Sequence, residues 1–216
     1  MRARLPLMRD EHCHILWDVD DGSQSLEMTR SMLDGVRACG FTEVVCTPHM
    51  RWKDFDAAKV RAHFEQLRQM MPDISWTLGY EVYYDCLLKI GLERASEFTI
   101  GDTNEILLEF NSGGEVPDGW QRTFWTLQSK LGLDIVVAHP ERYSTVLDDF
   151  DMVYRFRDMG CRIQVSAGDL LGGLFNKSRR CAKRIIDEGL CDALVSDAHR
   201  PEHYVEYLRA RERFWK

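Results

Sequence analysis

The stretch RDEHCHILWDVDDG, residues 9–22, sets His12 and His14 among Asp10, Glu11, Asp18, Asp20 and Asp21, at the start of what reads as a buried strand. Histidines two apart on a strand point to one face, because side chains alternate with period two. His12 and His14 can therefore converge on one cation, although a lone H-x-H pair is equally compatible with a polar strand end. Further residues of metal-ligand type follow along the chain: His49 in CTPH, Glu81 in GYEV, Glu109 in LLEF, His139 in AHPER, and Asp197 and His199 in SDAH. Glu81 and Glu109 lie inside apolar runs, where an ionised carboxylate is costly unless paired with a cation. Carboxylate and imidazole donors without thiolates suit Mn, Fe or Zn. Clustered divalent ions lower the pKa of a shared water and clamp phosphoryl oxygens for in-line displacement.

These residues need elements to bring them together. Short apolar or β-branched runs predict seven strands, at 10–14, 43–47, 76–82, 105–110, 134–138, 162–166 and 192–196. Helical patterns lie between them. In SQSLEMTRSMLDGVRACG, Met28, Met32 and Val36 recur at helical spacing, Ser23 or Ser25 can cap the start, and Gly40 can end the helix. KSRRCAKRIIDEGL reads as another helix, closed by Gly189. Such alternation implies a mostly parallel sheet, doubly wound or closed into a barrel. Six of the seven expected strands carry a ligand-type residue at their carboxyl ends, and in a parallel barrel those ends form a single face. GDLLGGLF and NSGGEVPDG read as loops, and no internal repeat is present.

Composition bounds the remaining choices. With 216 residues, 44% of them hydrophobic and 29% charged, the chain is expected to form one domain over 1–216. It has no run of 18 or more apolar residues, and its first residues mix charges with few apolar side chains, so neither a membrane span nor a signal peptide is expected. Seven cysteines without CxxC spacing fit reduced thiols and a cytoplasmic location. A net charge of −7 argues against a nucleic-acid partner held through phosphates. An anionic substrate stays open, because bound cations can reverse the local sign. A thiol phosphatase loop needs Cys followed six positions later by Arg. Cys13 is followed there by Val19, and no other cysteine has Arg at that spacing, so Cys13 is expected to be a buried strand residue facing away from the metals. His63 and His203 fall in helical patterns and are expected to be solvated.

In order and spacing, DEHCHILWDVDDG, CTPH, GYEV, LLEF, VAHPERY, QVSAGDLLG and SDAH resemble the bacterial PHP-family protein tyrosine phosphatases of the CpsB/YwqE type, which act in capsule and exopolysaccharide systems. The resemblance covers residues 8 to 200, and it implies a distorted (β/α)7 TIM-like barrel with three divalent ions, Mn before Fe or Zn. It implies one ion on His12, His14, Glu81 and Asp197, a second on Asp21, His49 and His199, and a third on Glu81, Glu109 and His139. Glu11, Trp17, Met50, Tyr143 and Arg200 depart from the family pattern without removing a ligand. Arg142, Asp197 and His199 are the expected catalytic residues. Arg142 is the first choice to hold a phosphate oxygen by its planar fork, with Arg51 and Arg200 as second choices.

The implied activity is metal-dependent hydrolysis of phosphotyrosine on a protein, by resemblance the tyrosine-rich tail of a bacterial tyrosine kinase controlling polysaccharide export. Two alternatives use the same scaffold. One is a phosphatase of a small phosphomonoester, similar to a histidinol phosphatase. The other is a noncatalytic PHP-scaffold binding protein, which would be expected to have lost ligands.

Overall fold

The computed structural model describes residues 8–51, 55–173 and 175–215. Leu174 of GDLLGGLF, and residues 1–7 of the N-terminal segment expected not to be a signal peptide, lie outside them. Strands β1 (Arg9–Cys13), β2 (Glu43–Cys46), β3 (His49–Met50), β4 (Ser75–Leu78), β5 (Glu81–Tyr83), β6 (Glu105–Glu109), β7 (Asp134–Val137), β8 (Arg162–Ser166) and β9 (Ala193–Val195) pair only in parallel. They run β1-β2-β4 in one ladder and β3-β5-β6-β7-β8-β9 in the other. The far edges meet: Asp197 N donates to His12 O at 2.9 Å and His14 N to Ala198 O at 2.8 Å, joining the segment after β9 to β1. The result is an α/β fold around a curled parallel sheet.

Among the described residues nine strands stand where seven were expected, because the run at 76–82 breaks in two and His49–Met50 adds a short strand beyond the expected 43–47. Pro48, which lacks an N–H, separates β2 from β3. The run expected at 76–82 breaks at Gly79 and Tyr80. A Cβ on Gly79 would stand 3.0 Å from Ile100 Cγ1, so the turn needs the close approach that glycine allows. Register is kept across the breaks, with Gly79 N donating to Cys46 O at 2.8 Å and Glu81 N to Pro48 O at 3.1 Å.

Helices α1 (Leu26–Cys39), α2 (Ala57–Met70), α3 (Tyr84–Ile90), α4 (Trp120–Leu131), α5 (Ser144–Asp148), α6 (Asp151–Asp158), α7 (Lys177–Asp187) and α8 (Pro201–Phe214) fill the connections. Ser25, not Ser23, caps α1 by accepting from Met28 N, and Gly40 ends it with φ 73°. Met32 and Val36 are buried while Met28 only packs against the core edge.

The sheet separates two apolar layers. Val44, Cys46, Ile106, Leu108, Ile135 and Val137 face the helices in the large cluster, joined there by Cys13. Val45, Ile100, Leu107, Val136 and Ala138 form a smaller cluster on the opposite face. Along β6, Leu107 and Glu109 share that inner face by strand alternation, so the apolar layer floors the candidate site.

Glu11 pairs with Arg162 Nη2 at 3.0 Å, and Arg162 also bridges to Glu105. Its charge in a strand is thus met by a cation. Tyr143 is wholly buried; its hydroxyl donates to Ala138 O and accepts from Phe110 N at 3.2 Å, so it locks two strand ends together from within the core. His63 and His203 are half-buried, contrary to the expectation of solvation. His63 stacks on Trp17 with centroids 4.1 Å apart and Nδ1 2.8 Å from Trp17 O, so α2 holds the loop after β1. His203 Nε2 accepts from Arg200 Nε at 2.8 Å, and its Nδ1 lies 3.4 Å from Asp197 O.

Candidate metal centre

Residues from six strand ends meet on one side of the sheet. His12 Nε2 and His14 Nε2 are 3.1 Å apart, and each lies 3.3 Å from Glu81 Oε2 and 3.6 Å from Asp197 Oδ1. Four donor atoms thus surround one small space. His14, Asp21, His49 and His199 form a second group, with His49 Nε2 3.3 Å and His199 Nε2 3.7 Å from Asp21 Oδ1. A third joins His49, Glu81 and Glu109: His49 Nδ1 is 2.9 Å from Glu81 Oε2 and 3.6 Å from Glu109 Oε2. His139 Nε2 approaches the other oxygens of the same pair, 2.8 Å from Glu81 Oε1 and 3.6 Å from Glu109 Oε1. All nine residues expected as ligands therefore lie together, with His49 reaching two groups through its two nitrogens.

Cations fit this donor set. Glu109 Oε2 and Asp197 Oδ1 are buried without a hydrogen-bond partner among the described residues, and Glu81 Oε2 and His49 Nδ1, though 2.9 Å apart, meet without hydrogen-bond geometry. Leaving so many polar atoms unmet in one place is costly unless an ion satisfies them. Two of the residues also hold strained backbone, His139 with φ 28° and Asp197 with φ 47°. Left-handed conformations of non-glycine residues persist where packing over-determines them, and they concentrate at functional sites.

A layer of partners orients the donors. Asp20 Oδ2 lies 2.9 Å from His14 Nδ1 and accepts from His49 N at 2.9 Å, while its Oδ1 accepts from Gly22 N at 2.9 Å. A Cβ at Gly22 would fall 2.2 Å from His14 O, so this loop closes only over glycine. Gln164 Oε1 meets His12 Nδ1 at 3.2 Å, and His199 Nδ1 lies 2.9 Å from Asp197 O. Asp10, also buried, accepts from Ser196 N at 3.0 Å and anchors the strand that delivers Asp197. Gln164 was not singled out in the sequence; an amide in the buried run RIQVS was its signal.

Electrostatics follow from this packing. Burial and nearby His49 oppose a proton on His14, yet Asp20 and Glu81 outweigh them and push its pKa up to about 9. Burial likewise opposes protonation of His49, but Glu81 and Asp21 carry it up to about 10. Burial raises Asp197, but Arg142 and the surrounding histidines prevail and hold it well below the usual carboxylate range. Glu109 is shifted up, by burial first and then by the charge of Glu81. His199 is pushed down to about 4 by burial and the neighbouring His14.

The expected arginines are placed differently from one another. Arg51 stands at the rim, Nη1 3.1 Å from Asp21 Oδ2, Nη2 2.9 Å from Tyr83 OH and 3.1 Å from His49 Nε2, with its guanidinium over the Tyr83 ring. Tyr83 was not anticipated, although it follows Glu81 by two on β5 and so shares its face. Arg142 has Nε 2.7 Å from Asp169 Oδ2, and its Nη2 lies 2.7 Å from Asp197 Oδ2 and 2.9 Å from Ser166 Oγ. Arg200 is exposed and turns to His203. A cleft of about 720 Å³, lined by residues including Asp18, Asp21, Gln24, His49, Arg51 and Lys59, opens beside the cluster.

Known proteins resemble this chain over most of its length. YwqE of Bacillus subtilis, a tyrosine-protein phosphatase, is 31% identical over 204 residues, covering 89% of this chain and 77% of that protein. Tyrosine-protein phosphatase CpsB of Streptococcus pneumoniae is 29% identical over 218 residues, covering 94% of this chain and 87% of that protein. A solved chain from the metal-dependent tyrosine phosphatases YwqE of Bacillus subtilis and CpsB of Streptococcus pneumoniae matches with a TM-score of 0.84 at 26% identity, covering 97% of this chain and 88% of that chain. The model of the capsular polysaccharide synthesis family CpsB/CapC matches residues 8–212, nearly the whole described chain, and the protein belongs to that family.

Proposed function

We propose that this protein is a metal-dependent phosphatase that hydrolyses phosphotyrosine on proteins. The observation that carries the reading is the set of buried ligand atoms on Glu81, Glu109, Asp197 and His49 that form no hydrogen bond among the described residues, gathered where the strand ends converge. His12, His14, Asp21, His49, Glu81, Glu109, His139, Asp197 and His199 would hold the ions, three in number, with manganese the first choice. Such ions supply a nucleophile from water near neutral pH and stabilise phosphoryl charge.

The chain's own residues do the rest. Asp20, Gln164 and the Asp197 carbonyl fix which imidazole nitrogens face the ions. Arg51 and Arg200 supply cationic groups on the substrate side, and the adjoining cleft leaves room for residues flanking a phosphotyrosine. Of the three residues expected to be catalytic, Asp197 and His199 act as ligands of the ions, and Arg142 contacts Asp197. The phenolate leaving group, with a pKa near 10, needs less help from a general acid than an alkoxide.

The fold reading that accompanies this is a distorted (β/α)7 barrel of one domain over 1–216, with β2 and β3, and β4 and β5, as broken halves of single strand positions. A bacterial tyrosine kinase that controls capsule or exopolysaccharide synthesis is the proposed substrate protein, and the cytoplasm is the proposed location of this protein. The test is a steady-state panel of phosphotyrosine peptides, sugar phosphates and histidinol phosphate with added Mn²⁺. Higher kcat/KM for the peptides is expected. A small phosphomonoester preferred by orders of magnitude overturns the reading.

A further inference from the structure

Arg142 sits between two carboxylates, one of which belongs to the candidate metal centre. Its Nε donates to Asp169 Oδ2 at 2.7 Å, and its Nη2 stands 2.7 Å from Asp197 Oδ2 while donating to Ser166 Oγ at 2.9 Å. A guanidinium grips a phosphate bidentately through one of two edges, Nε with Nη2 or Nη1 with Nη2. Both edges need Nη2, and Nη2 is already engaged. Asp197 is meanwhile split by function: Oδ2 faces the guanidinium, whereas Oδ1 is buried without a partner and lies 3.6 Å from the Nε2 atoms of His12 and His14.

Asp169 comes from the turn after β8, in the 3-10 segment Ala167–Leu171, and is not among the metal-ligand groups. Its side chain is only 17% exposed and that of Arg142 29%, so the pair is partly shielded from solvent. Without this partner the arginine's closest carboxylate contact would be Asp197, itself a candidate ligand of dications. Asp169 adds a carboxylate that is no candidate ligand and, by holding Nε, fixes the plane of the fork. Arg51 differs in this respect, because its partners Asp21 and His49 are themselves candidate ligands whose lone pairs a cation would take.

We propose that Asp169 and Arg142 are positioning residues: Asp169 holds the Arg142 fork on Asp197 Oδ2, so that Oδ1 is presented to the ion shared with His12 and His14, and Arg142 does not grip the substrate phosphate. The proposal rests on the phosphatase reading for its second half only. The metal-binding half stands on the cluster itself and is measured without catalysis.

The experiment uses the full chain and the variants Asp169→Asn and Arg142→Lys, which keep size or charge, with circular dichroism as a check of folding. Mn²⁺ titration followed by the EPR signal of the free ion reads metal affinity. Calorimetric titration of inorganic phosphate into Mn²⁺-saturated protein reads anion affinity. In both variants one class of Mn²⁺ site is expected to weaken about 10- to 100-fold, the range typical when a partner of a metal ligand is removed, with the other ions retained. Phosphate affinity at saturating Mn²⁺ is expected to change less than about threefold. A purely structural role would loosen every ion together and overturns the proposal. Unchanged Mn²⁺ binding in both variants overturns it too, as does a loss of phosphate affinity of tenfold or more in Arg142→Lys. If the parent protein hydrolyses no phosphoester, the phosphatase reading fails, and the Mn²⁺ titration still decides the positioning role.

Discussion

Asp20 Oδ2 and His14 Nδ1 lie 2.9 Å apart, and this contact turns His14 Nε2 towards Glu81 and Asp197. A carboxylate behind a ligating imidazole fixes its tautomer and raises its basicity. Asp20→Asn is therefore expected to weaken divalent-metal binding about 10- to 100-fold while leaving the circular dichroism spectrum intact. Metal titration of the purified variant checks it.

His139 Nε2 reaches both Glu81 and Glu109, so truncation leaves two buried carboxylates without their shared imidazole. His139→Ala is expected to abolish hydrolysis of phosphotyrosine peptides, and a chelator to do the same to the parent protein. Readdition of Mn²⁺ should restore the chelated parent and not the variant. The hydrolysis rate before and after readdition is the measurement.

Arg51 stacks over Tyr83 and stands at the opening of the cleft. A charge-assisted hydrogen bond is worth about 1.5–3 kcal/mol, which corresponds to roughly 10- to 100-fold in binding. Arg51→Ala is expected to raise KM for a phosphotyrosine peptide by that factor, with a smaller change in kcat. Initial-rate kinetics at saturating metal separate the two.

Cysteine chemistry should be silent. Burial pushes the thiols of Cys39, Cys161, Cys181 and Cys191 up to about 12, above the ordinary thiol. A raised pKa leaves the unreactive neutral thiol dominant at pH 7, and thiolate appears only as pH climbs towards that value. Alkylation of these four by iodoacetamide in the native protein is expected to be slow at neutral pH and to accelerate with rising pH, as read by mass spectrometry. Phosphatase activity should survive the reagent at pH 7.

Phe124 is wholly buried, stacked at 5.9 Å from Phe110 and 6.2 Å from Phe156, with Trp120 edge-on at 5.0 Å. Phe124→Ala is expected to cost about 3–5 kcal/mol through lost burial and the cavity left behind. Urea unfolding of the variant beside the parent gives the difference.

Much of this was legible along the chain. Ligand-type residues at successive strand ends suggested a common face, because parallel strands must all point their carboxyl ends the same way. Strand parity accounts for Cys13 facing opposite to His12 and His14. The break at Gly79 was harder to see: the run WTLGYEV continues in the sequence while the backbone turns, and the close packing of Gly79 on Ile100 depends on residues about twenty positions away. His63 and His203 read as solvated because helical periodicity marks a face without revealing what lies against it.

The sequence by itself determined the kinds of donor and their order, since imidazoles and carboxylates at recurring strand ends are local facts of residue type and alternation. The tertiary structure alone decided which atoms share a space. His49 serves two groups because its two ring nitrogens face opposite neighbours, and Arg142 is committed to Asp197 because Asp169 arrives from another turn. Both depend on contacts between residues distant in the chain, which spacing along a strand does not encode.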